Sequence, residues 1–418
     1  MPRSSPTPDR VAMISLHTSP LATPGVGDAG GLNVYVAELA TALGRQGVEV
    51  EIMTRRSDPA TPELVPLAER VTVRHLAAGP PAPVAKEQLP GLVDEFAASL
   101  RPLAAGFDLI HSHYWLSGLA ALRLDQDQHH APVRPPLVHT MHTMARVKNA
   151  ALADDQQAEP EPRADGEALI VKTAEGLTAN TDEESAELRD HYGADPDRIT
   201  IVPPGVDLDV FHPCSQRESR ALLDIDAAAE VILFVGRIQP LKAPDVLIRA
   251  VAELIKQQPG RRDRLKLIII GSPSGPDRDW ADTLPGLADS LQVGAVVEFR
   301  PHSERLELYR WYCASDIVAV PSHNESFGLV ALEAQACTRP VVAAEVGGLR
   351  HAVADGRTGI LVAGHGPEDW AAALGSLLDD HDRAVRLGRA GIDHARGFSW
   401  DASAEATLVA YRKAMITR

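Results

Sequence analysis

Apolar and polar positions alternate along the chain in two successive series. Val11–Leu16 is a short apolar run that ends at His17 and a loop rich in glycine and proline. Between Asn33 and Gln46, Val34, Val36, Leu39, Ala40 and Leu43 recur at helical spacing, and Gly47 supplies a stop. Val48–Thr54 reads as the next strand, which completes a βαβ unit. Further strand-like runs lie at Val71–Leu76, Asp108–His113, Pro136–Thr140, Gly176–Ala179 and Ile199–Val202. Helical patterns at Leu89–Leu100, Leu116–Leu122 and Glu183–Tyr192 fall among them, so the series predicts a doubly wound sheet.

Pro203-Pro204-Gly205-Val206-Asp207 breaks the pattern, and Leu208–Asp226 reads as a connector with one short helix. The second series has strands at Val231–Val235, Leu265–Ile270, Val296–Phe299, Ile317–Val320, Val341–Ala344 and Thr358–Val362. Its helices are predicted at Ala243–Gln257, Asp279–Leu291, Arg305–Ala314 and Leu329–Ala336, and the tail from Pro367 onward is mostly helical. Two α/β domains in tandem follow, over 11–207 and 208–398, with a disordered tail over 1–10 and a terminal helix over 399–418. The cleft between such domains is the default place for a ligand.

Composition narrows the function. At 418 residues, with 44% hydrophobic and 23% charged, the chain holds ample material for two cores. No apolar run reaches the roughly 18–20 residues needed to cross a bilayer, and Met1–Arg10 lacks the apolar stretch of a signal peptide. The formal net charge of −16 speaks against nucleic-acid binding, yet a few focused cations still serve a small phosphorylated ligand. Cys214, Cys313 and Cys337 read as too few and too scattered for a disulfide framework or a cysteine-based zinc site, which suits a reducing cytosol.

Three segments carry candidate chemistry. Gly25-Val26-Gly27-Asp28-Ala29-Gly30 spells G-x-G-x-x-G, but His17 to Pro24 separate it from the strand, and the second strand ends without an acid. Those departures argue against a nicotinamide site, although a bland flexible loop stays open. Gly30 and Gly31 precede a helix, where free N–H groups attract an anion. Gly236-Arg237-Ile238-Gln239-Pro240-Leu241-Lys242 follows a buried strand, so two cations stand at a sheet's carboxyl edge. Glu325 and Glu333 are eight residues apart, about 12 Å along a continuous helix. That is too far for a retaining glycosidase pair at about 5 Å and fits two separate hydrogen-bonding tasks. His111, His113, His139 and His142 pose a metal alternative, weakened by the lack of a His-Glu-x-x-His motif.

Together, Arg237, Lys242, Glu325, Phe327, Gly328 and Glu333 resemble the donor site of retaining GT-B glycosyltransferases. Five further segments resemble one branch of them, the D-inositol-3-phosphate glycosyltransferases of mycothiol biosynthesis. They are His17–Leu21, Gly30–Tyr35, Ile110–Gly118, His142-Thr143 with Val147–Asn149, and Arg237–Pro244. The resemblance implies a GT-B fold, two Rossmann-like doubly wound domains facing across a cleft, with the last helix returning to the first domain. It implies transfer of N-acetylglucosamine from UDP-N-acetylglucosamine to 1D-myo-inositol 3-phosphate, in a cytoplasmic homodimer, with no nucleic-acid or membrane partner and no catalytic cofactor.

Residue roles follow from the same resemblance. Lys86, Tyr114, Thr143 and Arg163 would hold the acceptor phosphate, while His17, Asp28, Ala29, Gly30, Gly31, Leu32 and Asn33 line the acceptor site. Thr23, Pro24, Gly31 and Ser303 would touch the nucleotide sugar along with Arg237, Lys242, Glu325 and Glu333. The residues at the reacting centre would be Arg237, Lys242, Glu325 and His142. A structural magnesium would rest on Tyr312, Cys313, Ser315 and Arg339, an arginine at the last position departing from the family pattern. Ala164-Asp165-Gly166 departs too, interrupting the helix expected after Arg163. Competing functions are a sucrose-phosphate-synthase-like transferase, a non-catalytic nucleotide-sugar sensor and an NADP-dependent dehydrogenase.

Overall fold

The computed structural model describes residues 7–23, 29–126, 134–150, 158–273 and 278–417. The chain forms two compact units, one of Met1–Ala22, Gly31–Pro204 and Trp400–Arg418, the other of Thr23–Gly30 and Gly205–Ser399. No helix among the described residues is long and apolar enough to cross a membrane.

The first unit is built on eight strands: β1 Arg10–Ile14, β2 Glu49–Arg55, β3 Leu64–Ala68, β4 Val71–Leu76, β5 Leu109–His113, β6 Leu137–Thr140, β7 Gly176–Ala179 and β8 Ile199–Ile201. Their order is β3-β4-β2-β1-β5-β6-β7-β8, and every pair is parallel except β3 with β4. Val11, Ala12, Met13 and Ile14 are wholly buried, which is why β1 reads as a continuous apolar run rather than an alternation. The helix Gly31–Arg45 buries Tyr35, Val36, Leu39, Ala40 and Leu43 on one face. The last helix, Trp400–Thr417, belongs to the same unit: Tyr411 is buried in its core, and Ser403 Oγ donates to the Pro203 carbonyl at 2.5 Å.

The second unit has six parallel strands, β9 Glu230–Val235, β10 Leu265–Ile270, β11 Val297–Arg300, β12 Ile317–Val320, β13 Val341–Ala344 and β14 Gly359–Val362. Their order is β11-β10-β9-β12-β13-β14. In both sheets the first strand of the series lies inside, β1 between β2 and β5 and β9 between β10 and β12. These are the positions where the winding reverses and loops at the carboxyl ends diverge to leave room for a ligand.

One strand went unpredicted, and four expectations need correction. The edge strand β3 carries Pro66 and an exposed pattern, and only an edge tolerates a proline that cannot complete the ladder. The tail expected over 1–10 does not include Arg10, which opens β1, or Asp9, whose carbonyl accepts a hydrogen bond from the Glu49 N–H at 2.8 Å; residues 1–6 lie outside the described ones. The single helix expected over Asp279–Leu291 is two, Arg278–Ala281 and Thr283–Ser290, since Pro285 cannot continue a preceding helical turn. The helix Glu161–Thr173 runs unbroken through Gly166, where a Cβ would stand 3.2 Å from Trp115 and Leu119 side-chain atoms. Glycine is there for close packing, not as a helix stop. Finally, the three cysteines are not scattered in space: Cys214 and Cys313 form a disulfide, with the Cys337 sulfur beside it.

Candidate functional site

Two groups of side chains gather at the carboxyl ends of the inner strands, one in each unit. In the first unit, the loop after β1 is pinned by Asn33, whose side-chain amide donates to Thr18 Oγ1 at 2.7 Å and to the Ser19 carbonyl at 2.5 Å. Leu16 N donates to Ser117 Oγ at 3.0 Å, which ties this loop to the helix after β5. Asn33, expected as a lining residue, is thus buried and holds the loop. Ala29 is buried as well, while Gly30, Gly31 and Leu32 are half-buried to exposed around the start of the helix. Pro24 and Asp28 lie outside the described residues, and Thr23 is exposed.

After β5 comes Tyr114, at φ 69° and ψ 151°, a region that side chains other than glycine rarely occupy. Its N–H is held by the Thr140 carbonyl at 3.0 Å, and its ring becomes the hub of the group. His17 packs on it with ring centroids 4.5 Å apart, the Arg163 guanidinium lies 5.1 Å from the ring centroid and Lys86 Nζ lies 5.8 Å from it. Arg163 also donates from Nη2 to Thr143 Oγ1 at 2.9 Å. Residues 17, 86, 114, 143 and 163, far apart in sequence, are therefore neighbours.

Two carboxylates that the sequence did not single out complete this group. Arg163 Nε donates to Glu167 Oε1 at 2.8 Å, and Nη1 pairs with Glu159 Oε2 at 2.7 Å. Lys148 Nζ reaches Glu159 Oε1 at 2.8 Å. Burial raises the Glu159 carboxyl, but the Lys148 hydrogen bond and Arg163 outweigh it and hold it below its usual range. His17 is lowered to about 3 by burial and then by Lys86, His142 and Arg163, so it is neutral at working pH. Its buried Nδ1 has no hydrogen-bond partner among the described residues. The cluster carries three cations against two carboxylates, and such a set of donors suits a phosphate monoester.

The histidines do not gather as metal ligands. His111 bonds Tyr411 through Nδ1 at 2.9 Å and Thr140 through Nε2 at 2.8 Å, and His139 Nδ1 bonds Ser112 Oγ at 2.7 Å. His113 Nδ1 and His142 Nε2 are 2.9 Å apart, so one of these nitrogens carries the proton and the other accepts. Burial lowers His142 to about 3, leaving a neutral ring that donates or accepts without adding charge. Its own backbone sits at φ 62°, a second strained residue close to the cluster.

In the second unit, Gly236 and Arg237 follow β9, and the turn Pro240–Lys242 ends at Ala243 in the left-handed region. The loop after β12 runs beside it, with the His323 N–H donating to the Leu241 carbonyl at 2.9 Å. Lys242 Nζ meets Glu325 Oε2 at 2.5 Å, and Ser322 Oγ approaches the same oxygen at 3.4 Å. Gly328, at φ 94°, starts the helix Leu329–Ala336, and Phe327 is buried beneath. Glu325 stands in the loop ahead of that helix, and Glu333 lies within it, where Oε2 accepts the Tyr312 hydroxyl at 2.7 Å. Ser303 is half-buried in the loop between β11 and the helix Arg305–Ala314. Gly30 counts with this unit, and a Cβ placed on it would stand 3.6 Å from Arg237 Nε.

Sequence reading missed what holds the Glu325 loop. Gly348 N donates to the Glu325 carbonyl at 2.8 Å. A Cβ on Gly347 would lie 2.5 Å from that carbonyl oxygen, and one on Gly348 would lie 2.3 Å from Phe327 Cα. The pair Gly347-Gly348 after β13 was the available signal, since paired glycines mark close backbone approach.

Two of the residues expected to hold magnesium have their carbonyls engaged by protein donors instead. The Tyr312 carbonyl accepts from Ser315 N at 3.2 Å and Ser315 Oγ at 2.9 Å. Ser315 O accepts from Gln216 Nε2 at 3.0 Å and from Arg339 Nη1 at 3.2 Å. A guanidinium among neutral carbonyls repels a second cation.

Comparison with known proteins agrees with this division. The family profile "Glycosyltransferase Family 4" matches residues 29–210, and "Glycosyl transferases group 1" matches residues 215–394. A D-inositol 3-phosphate glycosyltransferase from Kineococcus radiotolerans is 54% identical over 100% of this chain and 98% of its own. One from Kribbella flavida is 51% identical over 98% of this chain and 96% of its own. Among solved structures, a sucrose-phosphate synthase from Thermosynechococcus elongatus superposes with a TM-score of 0.86 at 31% identity, covering 97% of this chain and 98% of the other.

Proposed function

Because the chain belongs to the D-inositol 3-phosphate glycosyltransferases, hexosyltransferases of the GT-B fold, we propose that it moves N-acetylglucosamine from UDP-N-acetylglucosamine to 1D-myo-inositol 3-phosphate, the first step of mycothiol biosynthesis, with retention of the α configuration. The observation that carries this reading is the gathering of Lys86, Thr143, Arg163 and His17 around Tyr114. Such a cluster supports a dianionic acceptor: lysine gives a point charge, arginine a fork of donors, and threonine and tyrosine neutral donors.

The second unit takes the donor in this reading. Arg237 and Lys242 neutralise the diphosphate, and Glu325 aims the Lys242 ammonium through their ion pair. The N–H groups that open the helix after Gly328 add positive potential. Glu325 and Glu333 accept hydroxyls of the sugar and the ribose. As the bond from the anomeric carbon to the β-phosphate oxygen breaks, the acceptor hydroxyl attacks the same face, and its proton passes to the departing phosphate. Stabilising the leaving diphosphate is then the main source of rate. His142, neutral, offers a hydrogen bond without competing for that charge.

The likeness to sucrose-phosphate synthase supports one second reading, a related transferase with another sugar or sugar-phosphate acceptor. Incubating the protein with a panel of UDP- and GDP-sugars and phosphorylated polyols, and measuring released nucleoside diphosphate, separates the two. Release with UDP-N-acetylglucosamine and inositol 3-phosphate is the expected result. Release only with hexose phosphates would favour the second reading.

A further inference from the structure

Cys214, Cys313 and Cys337 lie in three different segments of the second unit, ahead of the helix Gln216–Leu222, inside the helix Arg305–Ala314 and just after the helix Leu329–Ala336. Their sulfur atoms are all within 4.8 Å of one another, and they form the one cysteine, histidine and carboxylate cluster of metal-binding geometry among the described residues. In the present structure Cys214 and Cys313 are joined and Cys337 is a buried free thiol. We propose that, once the disulfide is reduced, these three sulfurs form a thiolate site for a soft divalent cation, zinc. Tetrahedral zinc with Zn–S bonds of about 2.3 Å spaces its sulfurs about 3.8 Å apart, a spacing that sulfurs already gathered this closely reach by small side-chain rotations.

A neighbouring guanidinium complements the charge of such a centre. Three thiolates around a divalent cation leave one net negative charge, and Arg339 stands next to it, its Nε donating to the Cys337 carbonyl at 3.1 Å. The guanidinium that repels a hard cation from the neighbouring carbonyls therefore supports an anionic metal–thiolate centre. Cys313 and Cys337 are buried and Cys214 is half-buried, so the cation enters from the Cys214 side, where a water completes the fourth position.

The chemistry balances in two steps. A dithiol reductant takes up the disulfide's oxidising equivalents, giving two cysteine thiols and an oxidised dithiol. Zinc then replaces three thiol protons, which pass to solvent. The cluster also brackets Glu333: Tyr312, whose hydroxyl bonds Glu333, is the neighbour of Cys313, and Cys337 N donates to the Glu333 carbonyl at 3.1 Å.

The test titrates the full-length, fully reduced protein with Co2+ without oxygen. An intense near-ultraviolet thiolate-to-cobalt band with tetrahedral visible bands, saturating at one ion per chain and abolished by zinc, is expected. Cys337→Ser should weaken binding at least tenfold, and the oxidised parent should bind at least tenfold more weakly than the reduced one. Zinc-edge X-ray absorption on the reduced parent, which needs no variant, should show three sulfur neighbours at about 2.3 Å. No charge-transfer band, an affinity unchanged in Cys337→Ser, or a zinc shell of nitrogen and oxygen only would each overturn the proposal.

Discussion

Lys242 Nζ lies 2.5 Å from Glu325 Oε2, so the cation after β9 and the carboxylate after β12 form a single unit at the reversal point of the second sheet. Both side chains keep about a fifth of their surface in water, at 18% and 21%, and such a pair adds little to stability. Its worth lies in aim: it holds an ammonium where a diphosphate is to leave.

Lys242→Ala should accordingly lower kcat at least about tenfold, because a charge-assisted contact is worth roughly 1.5–3 kcal/mol. Its melting temperature should stay near that of the parent. Steady-state kinetics beside thermal unfolding measure both, and an unchanged kcat would remove Lys242 from the leaving-group site.

Arg163 divides its guanidinium between Glu159, Glu167 and Thr143. Arg163→Ala should raise KM for the phosphorylated acceptor at least about tenfold while leaving donor KM nearly constant. Glu159→Gln should do the reverse, since it releases Lys148 and one side of Arg163 toward phosphate. Acceptor KM values for the two variants decide the matter; equal preference for inositol and its phosphate in both variants and the parent would refute this acceptor site.

Gly348→Ala would place a methyl group 2.3 Å from Phe327 Cα and the Ser326 carbonyl. Backbone has to move, so a loss of about 1–3 kcal/mol in urea unfolding and a higher donor KM are expected. A variant as stable as the parent would show that the Glu325 loop is not clamped there.

Stability should fall on the acid side. His17, His139 and His142 are lowered to about 3 in the fold, by burial first in each case. Unfolded, they titrate near the ordinary 6.5, so below that pH the unfolded chain binds more protons and stability is lost progressively toward pH 3. Glu184 works the other way: burial raises it to about 7 from 4.5, so it disfavours the fold as pH climbs through that window. Melting temperatures between pH 4 and 8 should decline below pH 6.5, and more steeply in Glu184→Gln. A flat profile would contradict the buried neutral histidines.

The sequence announced its strands well where they are buried on both faces, as in β1 and β10, because a doubly covered strand leaves an unbroken apolar run. β3 stayed hidden, since an exposed edge strand with a proline carries no such signature. Strand order was invisible too, and it is the order that puts the loops after β1 and β5, and after β9 and β12, side by side. Arg237, Lys242, Glu325 and Glu333 were legible through local spacing. Glu159 and Glu167 were not, for a carboxylate that braces an arginine looks like any surface acid until the helix bearing Arg163 is packed. The three cysteines failed for the same reason: gaps of 99 and 24 residues say nothing of their distance in space.

The most direct measurement is the structure of the product. Full conversion of UDP-N-acetylglucosamine and 1D-myo-inositol 3-phosphate, followed by NMR of the isolated product, reports both the bond formed and its anomeric configuration. The account predicts one N-acetylglucosamine joined to the inositol phosphate through an α linkage, with one UDP released. A β linkage, or UDP released without any sugar on the inositol, would contradict it.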